Sequence, residues 1–435
     1  MNVNNLFRVI GGNPLVGAIS VSGNKNSVFP LVGAALLGDE IVRIGRVPKI
    51  LDVISLQKVV ESIGGKCDLA GGTLTVSGSG INKYELPPEA SDIRAAILLV
   101  PSLLKRFGKA HMPYPGGDKI GSRPLTVHFR VLEEMGVCVV ESESGFEFSL
   151  DKTVDMHTWL RLDEPSVTGT ELALLMISAL SSGTVIYNAA CEPHVQSLCN
   201  YLNSCGMKIE GVGSNLLSIS RRASFQAFEF FELDHDFMEV GSIIAAVGAC
   251  GGEVIIGEID HTSHYITKRL FSQFGIDIKS SGDGKHLLAK CDREKLIKGH
   301  HINIKPGPWP SLNPDLVSPA IVTAALVPDQ LTLVHDHMFD KRLNWAQSQL
   351  CDFGAKTELL NAHQLRVRGV PKFIAPGQKI ETPDIRAGMA LLIAAMTAEG
   401  ETLLTSMQIE RGYEAIDLRL RRLGVQIEKA NWSVG

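Results

Sequence analysis

One phrase recurs six times along the chain: a helical pattern, an apolar residue, a glycine, two residues, then the start of a strand. It reads ESIGGKC, EEMGVCV, NSCGMKI, SQFGIDI, CDFGAKT and RRLGVQI. Its glycines are Gly64, Gly136, Gly206, Gly275, Gly354 and Gly424, spaced by 72, 70, 69, 79 and 70 residues. A spacing this regular predicts six copies of one supersecondary unit. The glycine suits the left-handed position that ends a helix.

Each copy carries a second shared element, an apolar helical run that ends in a small break before a strand. Examples are FPLVGAALLGDEIVRIG, ELALLMISALSSGTVIYN, GSIIAAVGACGGEVIIG, VSPAIVTAALVPDQLTLVH and AGMALLIAAMTAEGETLLT, with a looser version, RAAILLVPSLLKRFGKAHM, in the second copy. These runs are apolar all round, so they belong in a core. The helices that precede the repeated glycines are amphipathic, as in LDVISLQKVVESIG. Each copy is therefore α/β, with one buried helix, one exposed helix and several strands. A length of 435 residues exceeds what one core usually holds. Two domains of three copies are expected, dividing near RRASFQAFEFFELDHD, with a cleft between them as the ligand site. Stacking as a solenoid is the alternative, but a period of about 70 residues is long for one.

The net charge of −5 argues against a nucleic-acid or membrane-surface binder. No CxxC pair occurs among the eight cysteines, which read as reduced thiols. The start of the chain has no signal-peptide pattern and no apolar run reaches membrane-spanning length, so a cytoplasmic protein is expected.

The buried helices open with polar residues: Lys25 and Asn26 in SGNKNS, Arg94 in SDIRAA, Ser166 to Gly169 in EPSVTG, Asp236 and Glu239 in DHDFMEVG, Asp315 in LNPDLVS, Asp384 and Arg386 in ETPDIRAG. Taken singly, each acid reads as a helix cap. The cations do not, because a helix start carries partial positive charge. An anion joining Lys25, Arg94 and Arg386 would explain them. Arg123, Arg342 and Arg411 recur at corresponding places before the amphipathic helices. Together they imply a small ligand with phosphate or carboxylate groups. The segment YPGGDKIGSRP, residues 114–124, sets Asp118 between cations on a pliable stretch. By itself it reads as a surface turn. His335 and His337 in VHDHMFD read as solvated histidines rather than metal ligands, and RVIGGNP lacks the dinucleotide spacing. No metal and no cofactor are implied.

In this order and spacing, SGNKNS, PGGDKIGSRP, PSVTGTE, CEP, PDIRAG and ERGYE resemble the enolpyruvyl transferases, in particular their sugar-nucleotide branch. The resemblance spans essentially the whole chain. It implies a two-domain inside-out α/β barrel of six βαβαββ-type units, three per domain. Residues 20–232 would form the domain that carries an active-site lid, and residues 1–19 with 233–435 the other. The implied reaction adds the 3-hydroxyl of UDP-N-acetylglucosamine to C2 of phosphoenolpyruvate and eliminates phosphate, the first committed step of peptidoglycan synthesis. A monomer is expected, with those two small molecules as its only partners.

Residue by residue, Lys25, Arg123 and Arg411 match the family's phosphate contacts. Arg342 and Arg386 match contacts near the carboxylate and the cleft, and Arg94 matches an arginine that also approaches the anionic site. Asp315 matches the base toward the acceptor hydroxyl, with extra residues before it in WPSLNPD. Asn26, His128, Ser166, Val167, Gly169, Glu192 and Asp384 match further substrate contacts. Asp118 stands on the implied lid, where many members have a cysteine, and would donate a proton or act in product release. An aspartate is a poor soft nucleophile, so insensitivity to fosfomycin, which alkylates that cysteine, is expected.

The sugar-nucleotide side departs from the family pattern. Glu164 replaces a lysine, Thr126 an aspartate, His194 the second acid of EPE, and Phe237 an arginine. Three readings stay open: transfer to UDP-N-acetylglucosamine, transfer to a different nucleotide or sugar hydroxyl, or a non-catalytic ligand-binding member. The shikimate branch is disfavoured by the PGGDKIGSRP segment.

Overall fold

A computed structural model describes residues 5–116, 121, 124–151, 159–180, 183–221, 227–296 and 301–431. Asp118 and Arg123 lie outside them. The repeat emerges as six small sheets, one for each copy. The third copy shows the pattern in full. Strand Trp159–Arg161, helix Val167–Leu180, strand Thr184–Tyr187, helix Pro193–Ser204 and strands Met207–Glu210 and Leu216–Arg221 follow in a βαβαββ order. The first two strands pair in parallel, the fourth lies antiparallel beside the second, and the third forms the far edge.

The other copies repeat this order with local economies. In the second and sixth, the first strand shrinks to a parallel bridge, Glu85 with His111 and Ile380 with Leu404. Strand Phe230–Glu232 supplies the first strand of the first copy. Strand Leu15–Ser20 does so for the fourth, and Asn5–Ile10 is the fourth strand of the sixth. Two early strands thus enter sheets built mostly from later sequence. In the fifth copy the exposed helix is reduced to Asn344–Gln347 and a 3₁₀ turn, Cys351–Phe353.

All six repeated glycines have positive φ, between 80° and 99°. That is the backbone region in which a Cβ is disfavoured, so the recurring glycine follows from the turn after each exposed helix.

The described residues form two compact units. One combines residues 5–22 with 235–431, and the other holds residues 23–116 with 124–234. Each has its own contiguous apolar core. In the first, helices Phe237–Cys250, Val317–Ala325 and Ile385–Thr397 pack on one another, and three sheets lie against them. Nearly every residue of these helices is buried. In the second, the central helices are Lys25–Ala35, Arg94–Phe107 and Val167–Leu180. The Arg94 helix opens as 3₁₀, Arg94–Leu99, before becoming α-helical at Val100. Pro101 has no N–H for the Ile97 carbonyl, which accepts from the Val100 N–H instead. Among the described residues, no helix is long and apolar enough to cross a membrane.

Candidate active site

The Ile385–Thr397 helix starts with a cap. Asp384 accepts from the backbone N–H groups of Arg386 and Ala387 at 2.8 and 2.9 Å. Its carboxylate is used by the helix, as the capping reading has it. Arg386, only 9% exposed, reaches three other elements. Its Nε donates to Asp315 Oδ2 at 3.1 Å, Nη1 to the Tyr413 hydroxyl at 3.0 Å and Nη2 to Met238 Sδ at 3.1 Å. Burial opposes its charge, but Tyr413, Asp315 and Asp236 outweigh that and hold its pKa above the ordinary arginine value.

Asp315 is not a cap. Asn313 takes that role, accepting from the Asp315 N–H at 2.8 Å. The Asp315 carboxylate is left to face Arg386 and, at 3.7 Å, Nη2 of Arg342. Arg342 is 4% exposed and lies over the Phe339 ring, 3.8 Å from its centroid. Its Nε stands 3.6 Å from Asp336 Oδ2. Both ion pairs are longer than hydrogen bonds, and Arg342 Nη1 makes no hydrogen bond among the described residues. A buried guanidinium with a donor to spare has room for one more acceptor, an anion or a water. Behind it, burial pushes the Asp336 carboxyl up while Arg342 opposes. Asp236 caps the Phe237–Cys250 helix, and burial pushes its pKa to about 6 against the pull of Arg386.

The other unit carries a second set. Asn24 caps the Lys25–Ala35 helix by accepting from the Asn26 N–H at 2.9 Å. Lys25, 7% exposed, sits 2.7 Å from Asp52 Oδ2 in the first turn of helix Leu51–Ser62. These cations have partners without any ligand. A cation at a helix start suggested an external anion, but the protein supplies carboxylates of its own, Asp52 for Lys25 and Asp315 for Arg386. The placement of these two cations therefore carries no argument for a ligand. The spare donor of Arg342 leaves a place for an acceptor.

In the same unit Arg94 is half-buried and donates to the Pro124 carbonyl at 3.3 Å. His128 is buried on helix Thr126–Glu134, with Nε2 2.7 Å from Thr168 Oγ1. Ser166 accepts from the Gly169 N–H at 3.2 Å as the Val167–Leu180 helix begins. A Cβ on Gly169 would lie 3.0 Å from both Ser166 and Val127 Cγ1, so glycine lets the two helices approach. Thr170 donates to the Ser166 carbonyl and accepts from the Ala190 N–H, both at 2.8 Å. That contact holds the loop leading to Glu192, a buried residue at the start of helix Pro193–Ser204. Glu171, 1% exposed, lies on the same inner helix. Burial, then Glu192, push its carboxyl well above the usual range.

The described residues thus join Asp315, Arg342, Arg386 and Asp384 in one unit. In the other, His128 meets the helix start at Ser166, Val167 and Gly169. Arg411 ends the Met407–Glu410 helix and donates to Gln408 at 2.9 Å.

A family model described as EPSP synthase (3-phosphoshikimate 1-carboxyvinyltransferase) matches residues 9–420. The chain belongs to that family. Two relatives of this family member are named UDP-N-acetylglucosamine 1-carboxyvinyltransferase. The one from Borrelia garinii subsp. bavariensis is 39% identical over 428 residues, and the one from Treponema denticola 36% over 431. In each case the match covers 97% of this chain and 98% of the relative. The resemblance to the sugar-nucleotide branch therefore stands. Among solved structures, the enolpyruvyl transferase NikO from Streptomyces tendae superposes with a TM-score of 0.86 at 23% identity, covering 99% of this chain and all of that one. An EPSP synthase from Acinetobacter baumannii gives 0.70 at 15%, covering 98% and 100%. These two likenesses establish the enolpyruvyl transferase fold.

Within this EPSP synthase family member, two departures from the family pattern belong together. Phe237 is buried edge-on to Trp309, with centroids 5.8 Å apart. Trp309 belongs to the WPSLNPD segment that holds the extra residues. That segment folds into a tight turn, Ser311 N–H to the Pro308 carbonyl at 2.9 Å and Gly307 N–H to the Leu312 carbonyl at 3.0 Å. Glu164 and Thr126 are exposed, while His194 is buried on the Pro193–Ser204 helix.

Sequence reasoning missed Asp52, Asp336, Tyr413 and Glu171. Asp52 looks like any acid in a first helical turn, so nothing local marks it. Tyr413 lay inside the quoted ERGYE motif, but its partner Ser242 is 171 residues away.

Proposed function

We propose that this chain transfers the enolpyruvyl group of phosphoenolpyruvate to the 3-hydroxyl of UDP-N-acetylglucosamine, the first committed step of peptidoglycan synthesis. The observation that carries the reading is Asp315. It is a carboxylate not used as a cap, held between Arg386 and Arg342, at the start of an inner helix. The near-full-length likeness to relatives of that name supports it.

In this reading Asp315 takes the proton of the acceptor hydroxyl as its oxygen bonds to C2 of phosphoenolpyruvate. A proton enters at C3, from Asp118 in our reading. The C2–O bond to phosphate then breaks, C3 gives up a proton, and the double bond re-forms. Arg342 and Arg386 would face the substrate carboxylate, with Arg94 nearby. Lys25, Arg123 and Arg411 would face the phosphate. Asn26, His128, Ser166, Val167, Gly169, Glu192 and Asp384 would shape the binding sites. We read the protein as a cytoplasmic monomer that needs no cofactor, since one chain supplies every group named.

A different acceptor is the second reading. Glu164 is an exposed carboxylate just before the Ser166–Gly169 helix start, where it would repel a diphosphate, while its neighbour Asp163 is paired with Arg130. The test is phosphate release from phosphoenolpyruvate with and without UDP-N-acetylglucosamine, alongside an Asp118→Ala variant. Acceptor-dependent release that the variant loses supports the first reading. No release, with phosphoenolpyruvate still bound, moves the acceptor to another nucleotide or sugar. Failure to bind phosphoenolpyruvate ends both readings.

A further inference from the structure

Tyr413 is buried, and no step above uses it. Its hydroxyl accepts from Arg386 Nη1 at 3.0 Å and lies 2.9 Å from Ser242 Oγ. Ser242 has one proton, and it goes to the Met238 carbonyl one helical turn back, at 3.0 Å. The Tyr413 proton must therefore point at Ser242 Oγ, which leaves the phenol lone pairs for the guanidinium. Burial pushes the Tyr413 phenol further up, so it remains a neutral donor. Arg386 in turn offers Nε to Asp315 Oδ2.

A directed chain results: Met238 carbonyl, Ser242, Tyr413, Arg386, Asp315. It crosses three copies of the repeat, since Ser242, Asp315 and Arg386 sit on or at the start of three different inner helices. A guanidinium is planar. Fixing Nη1 on Tyr413 and Nη2 on Met238 Sδ fixes the direction of Nε as well.

We propose that Tyr413, seated by Ser242, is a positioning residue for the reaction: it orients Arg386 and, through Arg386, the carboxylate of Asp315. This rests on the reading of Asp315 as the base toward the acceptor hydroxyl. Misplacing a base by a fraction of an ångström slows the chemical step while leaving substrate contacts elsewhere intact.

The test uses the full chain with phosphoenolpyruvate and UDP-N-acetylglucosamine. Tyr413→Phe keeps the ring and removes only the hydroxyl. It should lower kcat about tenfold, the worth of a hydrogen bond to a charged group, with both KM values within about twofold. Ser242→Ala should give a smaller loss in kcat in the same direction, and it carries the test if the phenylalanine variant fails to fold. Lysine cannot reach Tyr413 and Asp315 together, so Tyr413→Phe should cost nothing further on an Arg386→Lys background. Wild-type kcat in both Tyr413→Phe and Ser242→Ala, with Asp315→Asn inactive, overturns this inference alone. An active Asp315→Asn removes the base reading, and this inference with it.

Discussion

Arg386 Nε donates to Asp315 Oδ2 at 3.1 Å, and the two residues are 71 positions apart. That separation is one period of the repeat. Both residues stand at the start of an inner helix, Asp315 in the fifth copy and Arg386 in the sixth. Because those helices pack on one another, the starts of successive inner helices meet. Each stands in the opening turn of its helix, and packing has paired them.

Removing Arg386 should therefore be costly. Arg386→Ala leaves Asp315 without its hydrogen-bonded cation and takes from the buried Asp236 the charge that lowers its pKa. A loss of about 3–5 kcal/mol is expected, the range for breaking one side of a buried ion pair. Urea unfolding measures it, and a loss near zero contradicts the pairing.

Lys25 and Asp52 form the corresponding pair in the other unit, 2.7 Å apart and largely buried. Lys25→Met and Asp52→Asn should each destabilise, and the double variant should be less unstable than the sum of the two. A coupling of at least about 1 kcal/mol is expected. Additive losses would mean that the pair contributes nothing as a pair.

Asp236 makes stability depend on pH. Its carboxyl rises from the ordinary 3.8 to about 6 in the folded protein. Between those values the folded state keeps a proton that the unfolded chain has released. The group's contribution therefore favours folding at low pH and is lost as pH rises through about 4 to 6. Asp236→Asn keeps a cap and removes the titration. As pH rises from 4 to 6, the unfolding free energy of the natural protein should fall relative to that of Asp236→Asn, and level off above that. Parallel curves exclude it.

Asp118 should leave the enzyme untouched by fosfomycin. After incubation, intact-protein mass measurement should find no adduct on the natural chain and one adduct on Asp118→Cys. An adduct on the natural protein that disappears in Asp118→Ala would falsify the expectation.

Much of the fold was legible because the repeat is local. The six glycines follow from a helix end that needs positive φ, and each inner helix announces itself by being apolar on every face. The 3₁₀ opening at Arg94 was hidden by the apolar run. The candidate site was only half legible. Lys25, Asp315, Arg342 and Arg386 stand out as charges at helix starts or turns. Asp384 and Asp236 looked the same as Asp315, and the structure shows two of the three to be caps.

What the chain determines by itself is the repeating unit: its period, its inner and outer helices, and the positions where charges can gather. Those depend on backbone geometry and burial within some tens of residues. What only the tertiary structure decided is which charge meets which. Arg386 touches Met238 across 148 residues, Tyr413 touches Ser242 across 171, and the turn carrying Trp309 meets Phe237. Coulomb and hydrogen-bond energies act over a few ångströms, so these pairings arise only when packing has brought distant copies of the repeat together.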